Sequence, residues 1–100
     1  MTRHKACKTS EIAEGSGKKF EIEGNRIAIF NVAGKFFAID DTCKHKRGTL
    51  ARGTLTGHTV SCPQHGWKLA VTTGHCSTNP DGHNRSYPVT IENDEVFIEI

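Results

Sequence analysis

Two short patterns in the chain put thiols and imidazoles side by side: Cys43-Lys44-His45 and, sixteen residues further on, Cys62-Pro63-Gln64-His65. Each lies near a glycine, Gly48 after the first and Gly66 after the second. Glycine lets the backbone come close, so that amide N–H groups can point at a negatively charged sulfur. Pro63 biases Cys62 toward an extended conformation and stiffens its loop. A Cys2His2 zinc site would use this inventory, although common zinc fingers pair Cys with Cys and His with His, and here each loop holds one of each. A nucleophilic Cys–His pair needs one thiolate and one base, which leaves the second copy without a purpose. Chance placement of two buried cysteines and two surface histidines fits the paired spacing poorly, because buried cysteine usually falls on the inner face of a strand or helix.

Short strands surround these loops. Ala6-Cys7 reads as a first strand and Thr9–Ile12 as a single helical turn, followed by turn signals at Gly15-Ser16-Gly17. Phe20–Glu23, Arg26–Val32 and Lys35–Ile39 alternate apolar and polar residues, with Gly24-Asn25 and Ala33-Gly34 between them, which predicts an antiparallel meander. Periodicity fails from Asp40 to Gly57, where charges and glycines crowd, and the segment reads as a structured loop region. Thr59–Ser61 and Trp67–Val71 resume as strands, Thr73-Gly74 is a turn, and His75–Arg85 is a polar loop. Tyr87–Ile91 and Val96–Ile100 form a last hairpin around Asn93-Asp94. Eight to nine short strands and no long helical period predict an all-β fold, a small antiparallel β-sandwich or barrel.

At 100 residues the chain has room for one domain, 1–100. With 35% hydrophobic and 24% charged residues it has the composition of a soluble globular protein. No run reaches the ~20 apolar residues of a membrane helix, and Met1–Lys5 lacks the apolar stretch of a signal peptide, so a cytoplasmic location without membrane contact is expected. The formal net charge of +2 is too small to argue for nucleic acid. In a reducing compartment, four cysteines with two of them beside histidines favour metal over disulfides.

The pattern C-x-H, a spacer of this length and C-x-x-H resembles that of the Rieske proteins, and the likeness extends to Cys62-Pro63-Gln64-His65-Gly66-Trp67, to Thr73-Gly74 and to the preceding meander. The resemblance implies a Rieske-type fold with two cluster-binding loops, about 41–57 and 62–67, at one tip. It implies one 2Fe-2S cluster per chain, with Cys43 and Cys62 on one iron and His45 and His65 on the other. Replacing two thiolates by neutral imidazoles makes the core less negative, which eases its reduction. Quinol-oxidising Rieske proteins carry an extra cysteine in each loop and hydroxyl donors to the cluster sulfurs. Gly48, Gln64, Trp67 and Leu69 stand at those positions here, so a potential in the lower part of the Rieske range is expected.

What remains resembles a Rieske-type ferredoxin, a monomeric one-electron carrier between a flavin reductase and a terminal oxygenase, with no catalytic residue of its own. A small Rieske subunit of nitrite reductase and an excised oxygenase or hydroxylase domain are the alternatives, with a zinc-binding structural module as the outsider. Lys44, Lys46, Arg47 and Arg52 form a basic collar around the first loop, expected to steer the protein toward acidic surfaces. Cys7 and Cys76 are expected to be structural, with a Cys7–Cys76 disulfide open as a possibility, and His4, His58, His75 and His83 to be surface residues.

Overall fold

The computed structural model describes residues 3–43, 48–62, 68–76 and 84–100. A four-stranded antiparallel sheet lies at its centre, in the order β10-β4-β3-β2. It comprises β2 (Ser16–Ile22), β3 (Asn25–Val32), β4 (Lys35–Asp40) and the short β10 (Ser86–Tyr87). The meander turns are two-residue loops with both residues at positive φ, Glu23-Gly24 at 52° and 77° and Ala33-Gly34 at 51° and 89°. That is the mirror-image turn whose twist matches the flanking strands, and it fixes the register Ile22↔Asn25 and Val32↔Lys35.

A second sheet, β1-β12-β11, is built from both ends of the chain: β1 (Arg3–Lys8), β11 (Val89–Glu92) and β12 (Glu95–Glu99). It covers one face of the central sheet, where Ile27, Ile29, Ala38 and Tyr87 pack with Cys7, Ile12, Val96 and Ile98. The other face carries Ala28, Phe30 and Ile39, which pack with Leu50, Val60, Cys62, Leu69, Val71 and Cys76 from the middle of the chain. Strand β3 is therefore covered on both sides, and Ile27 through Asn31 are all buried. Its alternation of side chains separates two cores instead of an inside from an outside.

The middle segment is a module of short strands: β5 (Thr42–Cys43), β6 (Gly48–Thr49), β7 (Thr54–Thr56), β8 (Thr59–Ser61) and β9 (Lys68–Ala70). A 3-10 turn, Leu50–Arg52, follows β6, and another, Thr9–Glu11, confirms the helical turn read from the sequence. The module leaves and rejoins the central sheet at one place. The Asp40 N–H donates to the Arg85 carbonyl at 2.9 Å, the Asn84 side-chain amide donates to the Asp40 carbonyl at 2.9 Å, and the Tyr87 hydroxyl donates to Asp40 Oδ1 at 2.6 Å.

Several expectations need correction. The 40–57 region holds three strands and a 3-10 turn; strands of two or three residues are too short to show a period. The turn expected at Gly15–Gly17 yields to β2 from Ser16, because Gly17 faces Phe30 so closely that a Cβ there would lie 2.5 Å from the ring. The expected strand Tyr87–Ile91 divides at Pro88, with β10 in the central sheet and β11 in the terminal one. Proline has no N–H to give a ladder, so the chain changes sheets there. Cys7 and Cys76 lie in different cores and no disulfide joins them. No helix among the described residues is long and apolar enough to cross a membrane.

Candidate metal centre

Both cysteines of the paired motifs fall at the mouths of hairpins. Cys43 ends β5 and pairs with Gly48 of β6, so only residues 44–47 connect the two. Cys62 follows β8, whose last residue Ser61 pairs with Lys68 of β9, so residues 62–67 make the second connection. Register thus puts a cysteine at the start of each connection, and the sequence of each connection supplies one histidine. His45, His65 and Trp67 lie outside the described residues, as does His83. Cys62 is 2% exposed and sits in the same core as Leu50, Val60 and Leu69, so its backbone is tied to the packed part of the module.

Asp41 anchors the first mouth, and Gly53 lets the second lie against it. Asp41, two residues before Cys43, is buried; its carbonyl accepts the Leu50 N–H at 2.7 Å and its Oδ1 accepts the Ala51 N–H at 3.0 Å. Its own N–H donates to the Arg26 carbonyl at 2.9 Å, tying the loop root to β3. Burial pushes the Asp41 carboxyl above the usual carboxylate range, opposed by the Ala51 N–H bond. The 3-10 turn closes with the Gly53 N–H on the Leu50 carbonyl at 2.9 Å. A Cβ on Gly53 would fall 2.1 Å from the carbonyl oxygen of Ser61, the residue before Cys62. Only a glycine lets the first hairpin's exit lie this close to the second hairpin's entry. The sequence marks Asp41 and Gly53 only as part of the structured loop region 40–57, since nothing in their local sequence reports a contact made with strands elsewhere in the chain.

Cysteines at the mouths of two neighbouring hairpins, with one histidine in the sequence of each connection, are the donor types that a mixed-ligand 2Fe-2S cluster takes. Of the other cysteines and histidines, Cys76 is buried in the same core as Cys62, and the rest of those described are accounted for elsewhere. Cys7 lies in the terminal core, where burial pushes its thiol up to about 11 and so keeps it protonated. His58 is exposed in the β7–β8 turn with its ring edge against Phe37, His75 is exposed, and His4 is half-buried with Nδ1 3.8 Å from Glu23.

Comparison with known proteins gives the same assignment. The Rieske [2Fe-2S] domain family matches residues 2–90. The chain is 37% identical to the ferredoxin component of the p-cumate 2,3-dioxygenase system of Pseudomonas putida, over 94% of this chain and 82% of that protein. It is 36% identical to the biphenyl dioxygenase ferredoxin subunit of Pseudomonas sp. (strain KKS102), over 99% and 93%. A solved complex of reduced oxygenase and oxidised ferredoxin in carbazole 1,9a-dioxygenase contains a chain of the same fold, with a TM-score of 0.87 and 30% identity over 96% of this chain and 91% of that one. The resident group of this family is a 2Fe-2S cluster, which speaks against the reading of the loops as a zinc module. The fold and the likeness along nearly the whole chain therefore agree, and the chain belongs to the Rieske 2Fe-2S domain family.

Proposed function

We propose that this protein is the ferredoxin component of a Rieske-type dioxygenase system, a monomeric cytoplasmic carrier that takes one electron from a flavin reductase and delivers it to a terminal oxygenase. The observation that carries the reading is near full-length similarity to ferredoxin components of dioxygenase systems, which span hardly more residues than this chain. When bound, the cluster supplies a site that gains and loses a single electron. In this reading Cys43 and Cys62 hold one iron and His45 and His65 the other. The chain's own part is positional. Hairpin register sets one cysteine at each mouth, Asp41 ties the first hairpin to β3, Gly53 lets the second lie against it, and the core around Leu50, Val60 and Leu69 keeps water from the Cys62 side.

The test has two stages. Anaerobically purified protein reduced with dithionite is expected to hold about two irons per chain and to give the rhombic low-average-g signal of nitrogen-ligated iron. Its midpoint should lie in the lower part of the family's range; a value above about +200 mV would contradict the missing hydrogen-bond donors. Mixed with NADH, a flavin reductase and a terminal oxygenase of a Rieske dioxygenase system, the protein should be required for product formation. One zinc and no signal would make the loops a structural clip. Delivery to a sirohaem reductase in place of an oxygenase would assign the chain to nitrite reduction.

A further inference from the structure

Strand β2 closes one side of the central sheet, and its register with β3 runs from Ser16↔Asn31 to Ile22↔Asn25 without a shift. The two-residue turn at Glu23-Gly24 makes Ile22↔Asn25 a hydrogen-bonded pair, and such pairs alternate along an antiparallel ladder. Ile22, Phe20 and Lys18 therefore turn their N–H and C=O groups toward β3, while Gly17, Lys19 and Glu21 turn theirs outward. No hydrogen bond among the described residues engages those outward groups. At seven residues β2 is the longest edge strand among the described residues: β11 has four, β10 has two, and β1 is interrupted by a register shift between Lys5 and Cys7.

The side chains along this edge are charged in a definite order. Successive residues point to opposite faces. Lys18 lies on the terminal side, with Nζ 3.7 Å from Glu11 and 5.7 Å from the centre of the Phe20 ring, and Lys19 lies on the module side. There the 3-10 turn Leu50–Arg52 comes so close that a Cβ on Gly17 would sit 3.2 Å from the Ala51 carbonyl oxygen. Gly17, Lys18, Lys19, Ala51 and the exposed Arg52 line a depression. It draws on both faces of β2, so it follows the edge of the strand. Among the described residues Lys19 and Arg52 form no ion pair, and Lys19 acts on the buried Asp41 only at longer range. Glu21 stands across from Arg26 in the register. Lysine on an outer strand discourages indiscriminate pairing, and a carboxylate on the incoming strand turns the same lysine into a contact.

We propose that the β2 edge is a docking slot for an extended segment of a redox partner, which joins the central sheet as an added antiparallel strand with the charge pattern Lys/Arg-x-Asp/Glu-x-Asp/Glu. The inference rests on the electron-carrier reading only in taking the partner to be a redox protein. In that alignment the cation meets Glu21, the first carboxylate meets Lys19, and the second, passing over the missing side chain of Gly17, reaches Arg52. Backbone bonds to Gly17, Lys19 and Glu21 supply the attachment, and the three charges fix register and direction. A strand held here lies against the 3-10 turn that leaves the hairpin begun by Cys43. Because β2 itself holds a lysine and a glutamate two residues apart, a second copy of the chain is the competing occupant.

The test follows deuterium uptake of residues 16–22 in the full cluster-loaded chain. The peptide acetyl-Thr-Lys-Thr-Glu-Thr-Glu-Thr-amide, at about millimolar concentration, should slow exchange of the three outward amides about tenfold. The peptide with Lys and Glu interchanged should not. Lys19→Glu should weaken the first peptide roughly fivefold, whereas Lys35→Glu, with the same change of charge, should leave it unchanged. Glu21→Pro, which removes one outward N–H where an edge strand tolerates proline, should bind more weakly than Glu21→Ala. A flavin reductase or a terminal oxygenase of a Rieske dioxygenase system should protect the same amides. Uptake unchanged by the peptide or by both proteins, equal protection by the two peptides, or equal losses in Lys19→Glu and Lys35→Glu would overturn the proposal. Binding without slowed exchange would overturn the added strand, and protection that grows with protein concentration alone would give the edge to a second copy. The EPR signal recorded first separates the failures: no rhombic signal with slowed exchange sinks the carrier reading and leaves the slot, while a normal signal with unchanged exchange sinks the slot alone.

Discussion

The two layers that cover the central sheet handle charge and packing differently. The terminal layer, β1-β12-β11, pairs its cations internally, Arg3 with Glu92 and Lys5 with Glu95, and joins its strands Glu92↔Glu95 across a two-residue turn at Asn93-Asp94. The module has strands of two or three residues, no carboxylate from Thr42 to Pro80, and two connections that carry the proposed cluster ligands. One layer is complete as a folded object. The other completes itself with a cluster. The difference teaches where a small protein keeps stability and where it keeps function: longer ladders and paired charges on one face, short ladders and the proposed cluster ligands on the opposite one.

Substitutions can break this division, and the largest effect should come from the ligands. Cys62→Ala is expected to abolish cluster binding, with iron near zero per chain, while hydrogen exchange in β1 and β12 stays protected; loss of protection in both layers together would show that the terminal layer does not stand by itself. Next come the two faces of β3. Phe30→Ala, on the module side, should cost about 3–5 kcal/mol and lower iron retention, whereas Ile29→Ala, on the terminal side, should cost about 2–5 kcal/mol without altering the EPR signal of the protein that remains folded. A smaller effect is expected at the clasp. Gly53→Val should cost about 1–3 kcal/mol by forcing the Ser61 carbonyl aside, with broadened EPR features; unchanged features would mean that the ligand spacing is set elsewhere.

The smallest effect concerns Tyr87, which fastens the module's exit to Asp40. Burial and the Asp40 bond push its phenol up to about 12. The folded state thus favours the neutral phenol, so this contribution is fully present below about pH 10 and is lost as pH rises through about 12. Tyr87→Phe should be less stable by about 1 kcal/mol near neutrality, and its deficit should shrink between about pH 10 and 12. A deficit constant across that interval, measured by urea unfolding, would contradict the shifted phenol.

The sequence shows most clearly what is long and local. The meander and the last hairpin are legible because six to eight residues of alternation and a Gly or Asn-Asp turn suffice to predict them. The ligand pairs are legible because donor type and spacing carry chemical meaning even where no strand can be predicted. What escapes reading depends on partners distant in the chain. Gly17 reads as a turn until Phe30 is placed opposite it, Gly53 reads as a loop residue until Ser61 is found against it, and β3 reads as half-buried until two layers cover it.

Because the chain leaves the central sheet at Asp40 and returns at Asn84 and Arg85, where the two ends are hydrogen-bonded, the module behaves as a cartridge in a socket. Ends already held together make an excursion of almost any length entropically tolerable, since closure cost rises only slowly with length. The socket therefore admits exchange. A scaffold of β1–β4 and β10–β12 can receive a different cartridge, with other ligands or another surface charge, while keeping its own core and turns. Grafting at this seam offers a route to retuning redox potential and partner choice without redesigning the fold.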